Sequence, residues 1–229
     1  MLDWRQLEIC CDSLESAQVA ADAGADRIEL CVDLHLDGLT PPLAILQGVK
    51  ARVSIPVFVL VRSRPGGFVF SETELKAMGD EIVSLRQGGA DGIVCGALDP
   101  EGGIDLSATE RMIEAAGGLP FTFHKAFDAC ADLERGMAQL VELGVRRVLT
   151  SGGGRRAVES VPILTRLAEL GGEATRVLCA GGVRSASLAE LVQIPGVTEF
   201  HSAARASVAE PVDAAEVRAL RAGLDLSPM

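Results

Sequence analysis

Two short segments carry the residue types best suited to chemistry: Leu7-Glu8-Ile9-Cys10 and Ile28-Glu29-Leu30-Cys31. In an extended strand, residues two apart project the same way, so each segment presents a carboxylate and a thiol on one face and aliphatic side chains on the other. A carboxylate inside a strand-rich core is costly unless it is paired, hydrogen-bonded or working, and the repeat therefore points beyond simple packing. Two chemistries suit these residues. Cu(I) is soft and favours thiolate at low coordination number, so Cys10 and Cys31, one strand spacing apart, could hold it with a third ligand from Cys11 or His124. The spacing permits this without demanding it, because no C-x-x-C is present and cysteine is readily buried for packing alone. Cys11 should point away from Cys10 and serve as a packing residue.

The second chemistry is acid–base work on a small molecule. Glu8 and Glu29 on neighbouring strands, with His124 across from them, form a candidate catalytic set, because crowded acids push their pKa values apart and imidazole titrates near neutrality. Asp128, four residues beyond His124, orients that ring only if the chain turns there. Arg62 and Arg64 lie in a glycine-rich loop, and Ser151-Gly152-Gly153-Gly154 and Ala180-Gly181-Gly182 are two more such loops. Together Arg62, Arg64, Ser151, Gly152, Gly181 and Gly182 are candidates for binding a small anionic substrate, with or without a phosphoryl group, since glycines let backbone N–H groups approach a phosphate or a carboxylate. The competing structural account is a glutamate–arginine network that fills and stiffens the same region. His201 is expected to be a satisfied polar residue and His35 a solvated one.

Composition bounds the possibilities. With 229 residues and 48% hydrophobic content, the chain can bury a single sizeable core. A net charge of -11 argues against nucleic acid or an anionic membrane as partner, because phosphate binding rests on clustered Lys and Arg. No apolar run approaches the length of a membrane span, and the opening residues lack the basic and apolar regions of a signal peptide. The expectation is a cytoplasmic protein in which Cys10, Cys11, Cys31, Cys95, Cys130 and Cys179 stay reduced.

Short apolar runs alternate with longer amphipathic ones, and glycine marks the joints: Ala23-Gly24-Ala25-Asp26, Gly88-Gly89-Ala90-Asp91, Leu143-Gly144-Val145 and Pro195-Gly196-Val197 each end a helix before a strand. Strands are expected near 7–11, 27–31, 57–62, 92–95, 121–124, 147–151, 176–180 and 198–202. Helices are expected over 13–23, 42–52, 71–87, 106–116, 132–143, 156–170 and 185–193, with Ser13 as an N-cap. Strict alternation means parallel strands, and about eight of them close a (β/α)8 TIM barrel. An open doubly wound sheet is the rival, yet no G-x-G-x-x-G follows the first strand. In a barrel, strand C-terminal ends form the functional face, which gathers Glu8, Cys10, Glu29, Cys31, Arg62, Cys95, His124 and Ser151, with Ala180-Gly181-Gly182 and His201-Ser202 at the ends of the last two strands. The expected division is a single barrel domain over 1–205 and a helical tail over 206–229, amphipathic from Asp213 to Arg221, that packs on the barrel or on a partner subunit.

Several segments together resemble the CutC family: Glu8-Ile9-Cys10-Cys11-Asp12-Ser13, Gly24 through Cys31, Gly38-Leu39-Thr40-Pro41, Thr122 through Asp128, Val148 through Gly152 and Glu199-Phe200-His201-Ser202. The resemblance runs from about residue 7 to about residue 205. It implies a TIM-barrel protein of copper homeostasis in the cytoplasm, commonly a homo-oligomer, here a dimer or tetramer. Cys10 and Cys31 match the two cysteines proposed in that family to bind Cu(I). The loop Arg62-Ser63-Arg64-Pro65-Gly66-Gly67-Phe68 departs from the family pattern by lacking its aspartate, and Lys125 stands where arginine is usual, keeping charge but losing bidentate geometry.

Overall fold

The computed structural model describes residues 5–226. Eight parallel strands close on themselves in sequence order: β1 (Gln6–Cys11), β2 (Arg27–Leu30), β3 (Val57–Leu60), β4 (Gly92–Cys95), β5 (Phe121–Phe123), β6 (Arg147–Thr150), β7 (Arg176–Cys179) and β8 (Glu199–Ser202). Helices follow each strand: α1 (Leu14–Asp22), α2 (Leu43–Lys50), α3 (Glu72–Gln87), α4 (Leu106–Ala116), α5 (Leu133–Glu142), α6 (Val161–Gly171), α7 (Ser185–Leu191) and α8 (Ala214–Leu226). This is the (β/α)8 TIM barrel that the alternation requires.

Local chemistry sets the helix starts. Ser13 caps α1 and Ser71 caps α3, each in a reciprocal capping box, while Asp105 and Asp132 cap α4 and α5 through their carboxylates. Two short 3-10 turns, Leu34–Leu36 and Lys125–Ala129, sit where loops were expected. The expected helix over 156–170 is split into a 3-10 turn at Ala157–Glu159 and α6, which carries proline in its first turn. The amphipathic stretch near the C-terminus forms α8, which packs against α7, α1 and β1 and so occupies the eighth place in the helical ring.

Strand alternation divides the core into two parts. Leu7, Ile9, Cys11, Ile28, Leu30, Val57, Val59, Ile93, Cys95, Val148, Val177, Cys179 and Phe200 face outward into the apolar layer beneath the helices. The barrel lumen holds a smaller apolar group of Cys10, Cys31, Phe58, Leu60 and Val94, a second of Leu149, Leu178 and Ala180, and a set of charged residues. Closure pairs β1 with β8 as well as β2, which sets Glu8 opposite His201.

Candidate functional site

At the base of the lumen, Arg27 forms the hub of an ion network. Its Nε donates to Glu8 Oε2 at 2.5 Å and its Nη2 to Glu199 Oε2 at 2.8 Å, and Arg147 Nε reaches the same Glu199 oxygen at 2.6 Å. Phe58 lies under both guanidinium groups, 4.9 Å from Arg27 and 5.3 Å from Arg147. The arginines that balance the lumen acids are therefore Arg27 and Arg147, at strand positions, rather than the loop residues Arg62 and Arg64. This network anchors Glu8: burial opposes its charge, yet Arg27 and His201 outweigh burial and hold its carboxyl down at about 2.

One layer above, His201 bridges the two acids. Its Nδ1 lies 2.8 Å from Glu8 Oε1 and its Nε2 lies 3.6 Å from Glu29 Oε2. Burial disfavours the imidazolium, but Glu29, the Cys10 thiol and Glu8 prevail and raise the ring's pKa well above its ordinary value. Glu29 moves the opposite way from Glu8, upward, chiefly through burial with the Glu8 charge adding to it. The two crowded acids thus separate as electrostatics demands, with Glu8 a fixed carboxylate and Glu29 the one that can exchange a proton.

The thiols complete this layer. Cys10 Sγ and Cys31 Sγ stand 3.7 Å apart, both buried, and their mutual hydrogen bond together with burial raises the Cys10 pKa well above the ordinary thiol value. Cys10 Sγ, a Glu29 oxygen and a His201 nitrogen all lie within 4.8 Å of one another. With metal–thiolate bonds of about 2.3 Å, the 3.7 Å gap subtends about 107° at a shared ion, an angle that trigonal or tetrahedral coordination accepts without moving either strand. The donor set therefore fits a soft metal ion. Glu8, by accepting from His201 Nδ1, leaves Nε2 facing the thiol side, as in carboxylate–histidine–metal arrangements.

Neither third ligand expected from the sequence is available. Cys11 Sγ is turned into the outer core toward Ile9 O, as strand alternation requires. His124 ends β5 and caps the following 3-10 turn: its Nδ1 accepts from Ala126 N–H at 3.2 Å, so Nε2 carries the ring proton and has no lone pair to offer a metal. Burial, with Arg62 nearby, pushes the His124 pKa down to about 3, which makes it a neutral donor rather than an acid–base group. Asp128 does not orient it. The Asp128 carboxylate instead accepts from the backbone N–H groups of Ser151 and Gly153 and the Thr150 hydroxyl, tying the loops after β5 and β6 together.

Above these groups opens a cavity of about 620 Å³, lined by Cys10, Glu29, Cys31, Arg62, His124 and His201, with Leu34, Leu60, Phe68 and Leu149 as apolar walls and Lys125 and Arg155 at its rim. The expected anion-binding residues divide. Arg62 lines the cavity and fastens its wall, donating to Leu36 O, Gly38 O and Gly66 O. Arg64 turns outward to Glu74, 2.5 Å away. Ser151 is consumed by Asp128 and Gly154, and Gly152, Gly181 and Gly182 do not line this cavity. Gly38 explains its motif: at φ +84°, a Cβ there would meet Leu60 at 2.8 Å and Cys31 at 3.5 Å, so glycine lets the loop close over the thiols.

These features define a (β/α)8-barrel protein with a histidine, two acids and two thiols gathered at the mouth of the barrel. The chain belongs to the CutC family, whose family model matches residues 5–206. It is 44% identical to a family protein CutC of Histophilus somni, over 87% of this chain and 82% of that one. It is 42% identical to the copper homeostasis protein cutC homolog of Homo sapiens, over 88% of this chain and 74% of the relative. A crystal structure of CutC from Streptococcus agalactiae superposes with a TM-score of 0.82 at 29% identity, covering 87% of this chain and 98% of that one. Among the described residues, no helix is long and apolar enough to cross a membrane.

Proposed function

We propose that this protein acts in copper homeostasis in the cytoplasm by binding Cu(I) through the thiolates of Cys10 and Cys31, with His201 Nε2 as the third donor. The observation that carries this reading is the 3.7 Å approach of the two sulfurs beside a histidine whose other nitrogen is already held by Glu8. Thiolate is the ligand that Cu(I) selects, and a buried apolar surround of Leu60, Phe58 and Val94 protects a soft, oxidisable ion from water. Binding displaces the thiol protons and the Nε2 proton of the His201 imidazolium, so uptake releases acid, and Glu29 is placed to take one of these protons. All six cysteines are free, as a reducing compartment would keep them. The homologous human protein's description as a copper homeostasis protein agrees with this chemistry.

The test is a competition titration against a chromophoric Cu(I) chelator under anaerobic conditions. The wild type should withdraw one Cu(I) per chain, and the Cys10→Ser/Cys31→Ser double variant should fail to do so. Equal affinity in the two proteins would end the thiol-pair reading.

A further inference from the structure

The same cavity holds, on its opposite wall, a second set of groups that copper leaves unused. His124 is 4% exposed, lines the cavity, and its Nε2, which carries a proton, has no partner in the structure. A buried N–H without an acceptor costs about 1–3 kcal/mol, so its retention points to an acceptor supplied from outside. Beside it, Phe68 stacks against both the His124 ring, at 5.2 Å, and the Arg62 guanidinium, at 5.1 Å, which fixes the two on one wall. Arg62 Nε is likewise buried and unpartnered. Among the described residues Arg62, Lys125 and Arg155 form no salt bridge, and Asp37, which also lines the cavity, acts on Arg62 only at longer range.

The fit of the ring is built in. A Cβ on Gly96 would stand 2.8 Å from His124 Nδ1 and 2.9 Å from Phe123, so glycine at the end of β4 makes the space in which the imidazole is seated. Ala126 N–H then fixes its tautomer.

We propose that this wall is a binding site for a small organic carboxylate, whose oxygens accept from His124 Nε2–H and from Arg62, while its carbon chain lies against Leu34, Leu60 and Phe68. A carboxylate suits the site better than a phosphate dianion. Three of the five guanidinium N–H groups of Arg62 already go to backbone carbonyls, which leaves two for a ligand, and the other donor is a neutral imidazole. The carboxylate occupies the cavity next to the Glu29–His201 pair, so the proton-exchanging groups of the mouth face the bound molecule. This inference stands apart from the copper reading, because none of its groups is a proposed copper ligand.

The chain has three histidines, so 15N-histidine labelling gives few enough imidazole signals to follow His124 directly. Titration with butyrate should shift the His124 Nε2–H signal saturably, and inorganic phosphate should not. In His124→Asn, whose side-chain oxygen can still accept from Ala126 N–H, butyrate affinity measured by calorimetry should fall about tenfold or more, equivalent to about 1.4 kcal/mol. Gly96→Ala, which displaces the ring without removing it, should weaken butyrate as well. The titration is read on the metal-free protein, so its outcome is independent of the chelator competition. The absence of a saturable butyrate shift, stronger binding of phosphate, or unaltered affinity in both His124→Asn and Gly96→Ala would overturn the proposal.

Discussion

Protonation of His124 should account for a defined part of the acid sensitivity of this protein. In the unfolded chain a histidine takes its proton near pH 6.5, whereas in the folded state burial, with the Arg62 charge, delays that to about 3. The sign follows directly: a depressed folded pKa contributes stability that is complete above the unfolded value and is lost as the pH falls toward the folded one. Within that window each pH unit costs about 1.4 kcal/mol, so between pH 6.5 and 4.5 the loss from this one side chain is about 3 kcal/mol. His124→Asn removes the titration while keeping an acceptor for Ala126 N–H. Any constant effect of the substitution on packing is the same at both ends of the window. Urea unfolding of the two proteins at pH 7 and pH 4.5 therefore isolates the titration as a change in the stability difference between them. That difference should shift by about 3 kcal/mol in favour of the variant at the lower pH. Stability curves that run parallel across the window would refute the assignment of a neutral, buried His124.

Other consequences are also measurable. Arg27→Met leaves Glu8 and Glu199 buried without their shared partner, and urea unfolding should show a loss of about 3–5 kcal/mol. Ser13→Ala removes the hydroxyl that accepts from Ser16 N–H, leaves the Ser16 half of the α1 capping box in place, and should cost about 1 kcal/mol by the same assay. His201→Phe should weaken Cu(I) in the chelator competition while leaving a measurable two-thiolate site, since it removes one donor of three. Asp128→Ala frees the loops after β5 and β6, and amide hydrogen exchange at Ser151 and Gly153 should accelerate while the strands stay protected.

Much of the fold was legible because parallel strands buried on both faces read as short apolar runs, and glycine or a capping serine marks nearly every joint. The strand containing Gly92–Cys95 and the helix Leu106–Ala116 fall where the pattern sets them. The split at Ser160 was not legible, because Pro162 is as compatible with the first turn of a new helix as with the interior of a loop. Within the site, alternation alone placed Glu8, Cys10, Glu29 and Cys31 in the lumen. What it left out was closure: β8 pairs with β1, so His201 becomes the partner of Glu8 although 193 residues separate them. Counting eight strands contained that information, since the last strand of a closed barrel must lie beside the first. Arg27, Arg147 and Glu199 also alternate into the lumen, and all three open their strands in the manner of ordinary surface residues, which concealed their roles. The tautomer of His124 depends on a single backbone bond from Ala126 in a 3-10 turn that has no strong sequence signature.

The most direct measurement of the copper assignment is X-ray absorption at the copper edge on the Cu(I)-loaded wild-type protein. The account predicts a first shell of two sulfur atoms at about 2.3 Å with one nitrogen donor, the nitrogen disappearing in His201→Phe. A shell of oxygen and nitrogen alone, or a two-sulfur shell that persists in the Cys10→Ser/Cys31→Ser variant, would contradict it.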